Sequence, residues 1–315
     1  MRVGVTGAAG FIGSHVVDAL AGAGHEAVII DVRAPQRTDV EYREASILDS
    51  PALDKAVAGL DALFHLAAVA DVNDVVADPA AAIDLNVTGT LRALEAARRN
   101  DLKRFILAST VWVYSSVPQS TGDTVDESVP LDPAASRHVY TSSKIAAEML
   151  CHDYWNMHQL PFTILRYGIP YGPRMRLSLV VPVFVRKVLR GEPLTVSGDG
   201  SQHRKFVYIE DLARGHVLAL GDVAKNQTYN LDGSEEITIL RIAETVLRLT
   251  GSATPIEFMP ARAGDYSGKH VSSEKAAREL GWLPGVDFDE GMKRTVPWLV
   301  ETIRAEEGQT AASVR

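Results

Sequence analysis

Short apolar runs recur along this chain at 2–6, 26–31, 61–66, 103–108 and 161–167, and segments of helical period lie between them near 11–23, 51–58, 78–99 and 138–157. A continuous apolar run of this length suits a strand buried on both faces. Such strands alternating with helices predict a doubly wound parallel α/β sheet. After residue 167 the rhythm changes. Pro170, Gly172 and Pro173 break regular structure, 178–190 reads as a helix, and Gly198-Asp199-Gly200 reads as a turn. Phe206–Ile209 predicts a short strand, Glu210-Asp211 opens a helix to about 220, and further helices follow near 238–250, 273–280 and 287–305. Residues 306–315 carry no apolar period and read as a tail. From Ser115 to Arg137 the chain is polar and rich in Ser, Thr, Pro and Asp. A loop that long in a compact domain is either a functional cover or disordered, and its place before the next motif favours a cover on the substrate side.

The first two runs are joined by Gly7-Ala8-Ala9-Gly10-Phe11-Ile12-Gly13, and the second closes on Asp31. This is a strand, a glycine-rich turn, a helix start at Phe11 and Ile12, and a second strand ending in a carboxylate. The GxxGxxG spacing is one residue longer than the commonest dinucleotide fingerprint. Gly7, Gly10 and Gly13 let the backbone approach a pyrophosphate, and the helix presents unpaired N–H groups to that anion. Asp31 is placed to accept hydrogen bonds from the adenosine ribose, and its charge repels a 2′-phosphate, which favours NAD. Arg33, two residues on, leaves NADP open. The fourth strand runs through His65 into the small-residue turn Leu66-Ala67-Ala68, which suits a cofactor crossing the strand's carboxyl end; simple packing is the alternative. The expected organisation is therefore a Rossmann-type NAD-binding domain over 1–165, with 206–236 returning to it, and a smaller C-terminal α/β substrate lobe over 166–205 and 237–305.

The 315 residues are enough for a sizeable core, in one large or two medium domains. A net charge of −8 argues against nucleic acid or an anionic membrane as the general partner, so an anionic ligand needs a local arginine cluster. Cys151 is the only cysteine, which excludes an internal disulfide and fits a reducing cytoplasm; it has no zinc-like partners and reads as buried packing. The chain opens directly on a strand, and its apolar runs fall far below the roughly 18 residues that span a bilayer.

Tyr140-Thr141-Ser142-Ser143-Lys144 places a tyrosine and a lysine one turn apart on a helix face. A phenol of pKa near 10 is a poor base at neutral pH, and a nearby ammonium lowers that value by stabilising the phenolate. The pattern gains meaning by following a dinucleotide fingerprint. Upstream, Ala108-Ser109-Thr110 ends the fifth strand at the edge where ligands bind such sheets, so the Thr110 hydroxyl can bridge a substrate oxygen and the tyrosine.

With these residues the chain resembles an extended short-chain dehydrogenase/reductase of the NAD-dependent nucleotide-sugar epimerase/dehydratase family, from Met1 to about residue 300. The resemblance rests on Gly7–Gly13, Asp31, His65-Leu66-Ala67-Ala68, Asn86-Val87-Thr88-Gly89-Thr90, Thr110, Tyr140-x-x-x-Lys144 and Leu165-Arg166-Tyr167. It continues through Tyr171-Gly172-Pro173, Gly198-Asp199-Gly200-Ser201-Gln202 with Arg204, and Glu279-Leu280-Gly281-Trp282. It implies that Thr110, Tyr140 and Lys144 form the catalytic set and that Asn86 supports the cofactor pocket. Arg204 and Arg262 match arginines that hold the nucleotide diphosphate, for which guanidinium forks are well suited. The resemblance also implies a homodimer built on the helices near 85–99 and 138–157, where Met149, Leu150 and Trp155 offer apolar surface.

Three departures from the family pattern carry information. Ser46, with Ile47 beside it at the adenine site, stands where an acidic residue often meets the adenine amino group. Ile169 stands where many UDP-hexose epimerases have an asparagine. The 4,6-dehydratases carry an Asp-Glu pair after the catalytic threonine, and the related decarboxylases a glutamate; here those places hold Val111 and Trp112, which offer no acid or base. The expected activity is an NAD-dependent nucleotide-sugar 4-epimerase acting on a UDP-sugar. A 4-ketoreductase with exchangeable NAD(P)H and a non-catalytic NAD-binding protein are the alternatives. Arg176 matches an arginine of UDP-glucuronate epimerases that meets the sugar carboxylate; a surface or phosphate role is equally open.

Overall fold

The structure, a computed structural model, describes residues 1–117, 124–260 and 270–313. The five apolar runs become strands β1 (Arg2–Thr6), β2 (Glu26–Asp31), β4 (Ala62–His65), β5 (Arg104–Thr110) and β7 (Phe162–Tyr167). Every residue in them except Arg2 and Glu26 is buried, which is why the pattern reads as continuous rather than alternating. The apolar pattern does not announce two edge strands, β3 (Glu41–Glu44) and β11 (Gln227–Leu231). An edge strand meets solvent, so polar residues such as those of Glu41-Tyr42-Arg43-Glu44 satisfy it. The sheet runs β11–β7–β5–β4–β1–β2–β3, with every neighbouring pair parallel. The strand order reverses at β1, so a ligand crevice is expected at the carboxyl ends of β1 and β4.

Helices α1 (Phe11–Gly22), α2 (Ser50–Val57), α3 (Val72–Ala77), α4 (Pro79–Ile83), α5 (Gly89–Arg99) and α6 (Val139–His158) belong to this part of the chain. Leu53, Val57, Leu94, Phe105, Cys151 and Phe162 meet in one apolar cluster between helices and sheet. Burial there pushes the Cys151 thiol well up, in keeping with a packing role.

The chain divides into two compact units. The larger comprises the described parts of Met1–Gly168, Leu212–Asp232 and Lys269–Leu283; the smaller comprises those of Ile169–Asp211, Gly233–Gly268 and Pro284–Arg315. The larger also holds a parallel pair of short strands, β6 (Thr124–Val125) and β14 (His270–Val271). The smaller contains a three-stranded sheet of β8 (Ile169–Tyr171), β10 (His203–Tyr208) and β12 (Glu236–Thr238). It also holds the parallel pair β9 (Leu194–Ser197) and β13 (Ile256–Met259). Phe206–Tyr208 therefore lies in the smaller unit's sheet, and the return to the larger unit begins at Leu212, inside helix α8 (Ile209–Leu218). Helices α7 (Val180–Leu189) and α9 (Ile239–Thr250) also lie in the smaller unit, and α10 (Glu274–Leu280) joins the larger. Helix α11 (Phe288–Ser313) continues through most of the stretch expected as a tail. Its Ala- and Glu-rich end needs no apolar period to be helical, and Glu307 pairs with Arg190 at 2.8 Å.

Two histidines are sealed inside the larger unit. His216 places Nδ1 2.9 Å from the Leu212 carbonyl, so Nδ1 carries the proton and Nε2 accepts from the Tyr167 hydroxyl. His65 is bounded by Thr6 Oγ1 (3.0 Å) and Thr90 Oγ1 (3.1 Å). Because Thr90 donates its hydroxyl proton to the Asn86 carbonyl (2.6 Å), it accepts from His65 Nε2. Both rings are thus neutral. Burial lowers His65 to about 3, helped by the Lys144 charge, and burial lowers His216 to about 4. Unfolded, each protonates near its ordinary value of about 6.5. The unfolded state therefore binds more protons below that pH, and stability falls as pH drops from about 6.5 toward 4. Between pH 7 and 5 the two sites together should remove roughly 4 kcal/mol. Urea unfolding at the two pH values checks this; equal stabilities would mean that the rings are not buried neutral.

Candidate active site

The glycine-rich turn is shaped by close approach. Gly7 has φ +70°, and a Cβ there would stand 2.8 Å from the Ala67 amide nitrogen, because the turn leaving β1 presses on the turn leaving β4. A Cβ on Gly13 would stand 2.4 Å from the Gly7 carbonyl oxygen, so only glycine seats α1 on the turn. At the head of α1, Gly10 provides no side-chain cap and the first turn, with Phe11 and Ile12, holds no acidic residue. Its N–H groups are left for an anion. Asp31 is buried at the end of β2 and accepts from the amides of Ala9 (2.9 Å) and Arg33 (3.0 Å). The Arg33 guanidinium stands 4.0 Å away and is largely exposed. Thr6 Oγ1 accepts from the amides of Leu66 (3.2 Å) and Ala67 (3.3 Å), and the partly buried Ala68 follows. Ser46 turns its hydroxyl to the Leu48 amide (3.1 Å), and the Ile47 side chain is in the core, leaving main chain at that place. These residues fit a dinucleotide: a close-packed turn, an uncapped helix start and a carboxylate at the next strand's end.

Asp31→Ala should weaken NAD binding about tenfold or more and relax discrimination against NADP, as expected for losing charged hydrogen bonds to the ribose. Titration of each cofactor into both proteins measures the ratio. Tighter binding of NADP by the unmodified chain would make Arg33 the deciding residue.

Helices and strands bring Thr110, Tyr140 and Lys144 to one edge of the larger unit. Lys144 Nζ lies 5.9 Å from the Tyr140 ring centre and donates to the Ala108 carbonyl (3.1 Å) at the end of β5. Burial lowers the Lys144 pKa to about 8, against the opposing pull of Glu148. Thr110 Oγ1 accepts the Trp112 amide (3.2 Å), and the indole and Tyr140 ring planes cross at 82° with centres 6.4 Å apart. A π-helical turn, Asp84–Thr88, lies between α4 and α5 and carries the buried Asn86. Asn86 accepts the Val69 amide (2.8 Å) and donates to the Val69 carbonyl (2.9 Å) and to Ser143 Oγ (3.1 Å); Ser143 in turn donates to the Tyr140 carbonyl (2.7 Å). One asparagine thus ties the loop after β4 to the first turn of the tyrosine's helix.

Sequence reasoning missed the brace behind this site. Glu148 and Arg166 are both buried and pair at 2.6 Å and 3.0 Å. The Ser109 hydroxyl donates to Glu148 beside Thr110, and Arg166 continues to the Tyr114 hydroxyl (2.8 Å) and from there to Asn230 (2.9 Å). The available signal was spacing: Glu148 lies four residues past Lys144, on the same helix face.

Arg176 and Arg204 lie in the smaller unit; Arg176 is exposed, and Arg204 is partly buried on β10 opposite Ile237. Ile169 begins β8 there. Arg262 lies outside the described residues, as does part of the loop expected as a cover. Among the described residues no cluster of His, Cys, Asp and Glu could hold a metal, and no helix is long and apolar enough to cross a membrane.

The family model for "NAD dependent epimerase/dehydratase family" matches residues 3–232. The UDP-glucose 4-epimerase of Thermotoga maritima, solved with UDP-glucose, is similar with a TM-score of 0.87 and 30% identity, covering 96% of this chain and 100% of that one. The UDP-glucuronic acid 4-epimerase of Bacillus cereus, solved with UDP-glucuronic acid and NAD, is similar with a TM-score of 0.86 and 29% identity, covering 96% and 100%. UDP-glucuronic acid decarboxylase 1 of Arabidopsis thaliana is 34% identical over 304 residues, 94% of this chain and 69% of its own length.

Proposed function

This chain belongs to the NAD-dependent epimerase/dehydratase family, and within it we propose a nucleotide-sugar 4-epimerase that interconverts UDP-glucose and UDP-galactose or their uronate counterparts. One observation carries the reading. Lys144 stands beside the Tyr140 ring and reaches the Ala108 carbonyl near the carboxyl end of β5, the strand that Thr110 closes, while the next two places hold Val111 and Trp112. That set can move a proton at a sugar hydroxyl but has no acid or base there for elimination at C5 and C6, as dehydration requires. Glu148 does not fill the gap, since Arg166 and Ser109 engage it.

NAD is the cofactor, and when bound it accepts and then returns a hydride at C4 of the sugar. Gly7, Gly10 and Gly13 with the head of α1 would hold its pyrophosphate, and Asp31 its adenosine ribose. Tyr140 takes the proton of the 4-hydroxyl as C4 is oxidised and gives it back once the 4-keto sugar has turned. Thr110 hydrogen-bonds the 4-oxygen. Lys144 stabilises the Tyr140 phenolate and holds the nicotinamide ribose.

The test incubates purified protein, without added cofactor, with UDP-glucose, UDP-glucuronate and the dTDP- and GDP-hexoses, and analyses C4 configuration by NMR. Epimer formation with copurifying NAD is expected. Conversion only of a 4-keto sugar, with consumption of added NAD(P)H, would replace the reading by a ketoreductase; no conversion at all would leave a non-catalytic binder. The same panel reads Arg176: preference for UDP-glucuronate that Arg176→Ala removes supports a carboxylate contact, and an unchanged preference for UDP-glucose refutes it.

The assembly belongs to the same proposal. On α5 and α6, Leu91, Met149 and Met157 are exposed, at 38%, 55% and 65%, whereas Leu150 and Trp155 pack on the core. Pairing these helices with a second copy would cover the exposed residues. Light scattering at micromolar concentration should give twice the monomer mass; a monomer refutes the dimer.

A further inference from the structure

The 3₁₀ turn Val111–Ser116 leaving β5 sends neighbouring side chains to opposite environments. Val113 and Tyr114 are fully buried and pack with Val117, Val125, Ile145 and Val271. Trp112, between the catalytic threonine's strand and these anchors, is 36% exposed. Its position is nevertheless defined. The amide is held by Thr110 Oγ1 at 3.2 Å, and the indole stands at 82° to the Tyr140 ring with centres 6.4 Å apart. Among the described residues its indole N–H has no partner.

We propose that Trp112 is the platform on which the pyranose of a nucleotide sugar packs, holding the ring beside Tyr140. A single exposed apolar side chain is ordinary on a protein surface. This one is braced at its backbone and lies within one ring's breadth of the tyrosine that must reach the 4-hydroxyl, so the carbons flanking C4 fall within its reach. Its chemistry matches a sugar. The indole face suits the apolar C–H surface of a pyranose, and the N–H can donate to a ring hydroxyl, the combination of apolar body and polar handle that makes Trp effective at binding sites. The inference rests on the nucleotide-sugar reading of the site and adds the residue that recognises the sugar rather than the nucleotide.

Comparing nucleotide with nucleotide sugar isolates this contact. UDP, dTDP and GDP, each with and without its glucose, are titrated calorimetrically into NAD-loaded protein, and Trp112→Ala and Trp112→Phe are compared with the unmodified chain. Trp112→Ala should weaken the preferred nucleotide sugar about tenfold or more and leave the free diphosphate within about twofold, with NAD content unchanged. Trp112→Phe should retain most of the affinity. Intrinsic fluorescence should change on adding the sugar conjugate and lose that change in Trp112→Phe. Equal loss for sugar and diphosphate, or no loss for either, overturns the proposal, as does an unmodified chain that binds no nucleotide sugar. Sugar-dependent loss in a protein that forms no epimer would leave the platform standing and remove the epimerase.

Discussion

Tyr140→Phe should lower turnover by roughly 10²-fold or more, the size typical of a lost acid–base group. The variant removes one oxygen from a ring whose surroundings otherwise stay in place. The Ser143 contact is made to the Tyr140 carbonyl, and the Trp112 contact is made to the ring. NAD content should therefore be unchanged, and the loss should fall on kcat. Single-turnover measurement in the holoenzyme separates the two. Near-normal turnover would sink Tyr140 as the proton-transfer group.

Glu148→Ala should destabilise the protein by about 3–5 kcal/mol, because it leaves the Arg166 guanidinium buried without its counter-charge. Among the described residues Arg166 would retain Tyr114, its hydroxyl and its ring face, and Ser109 would lose its acceptor. Replacing both members by Met should recover much of the loss, since a buried ion pair exchanged for apolar packing is often close to neutral. Activity in that double variant should stay low at neutral pH. Glu148 is the carboxylate that opposes the downward effect of burial on Lys144, whose pKa stands at about 8. Urea unfolding measures the first effect and the pH profile the second. A Glu148→Ala variant as stable as the parent would show that the pair is not buried in solution.

Much of the sheet was legible because β1, β2, β4, β5 and β7 are buried on both faces, and burial demands continuous apolar runs. β3 escaped that logic at a solvent-facing edge, where polar side chains are tolerated, and β11 because its buried half includes Asn230, which is held by the Tyr114 hydroxyl and the Ser272 carbonyl. The glycine-rich turn was legible for a related reason. Gly7 and Gly13 are demanded by local close approach, so residue type and spacing carry the geometry with them.

The sequence by itself determined the elements whose cause is local: the glycine turn, the carboxylate ending β2, and the Tyr140–Lys144 face of one helix. It also determined what is missing, since Val111 and Trp112 cannot act as acid or base in any fold. Only the tertiary structure decided which distant groups meet. Arg166 of β7 reaches Glu148 of α6, and Asn86 on a π-helical turn reaches Ser143, 57 residues away. Packing decides such pairings, since a buried charge or amide is stable only where the fold delivers its partner, and no spacing along the chain records that delivery.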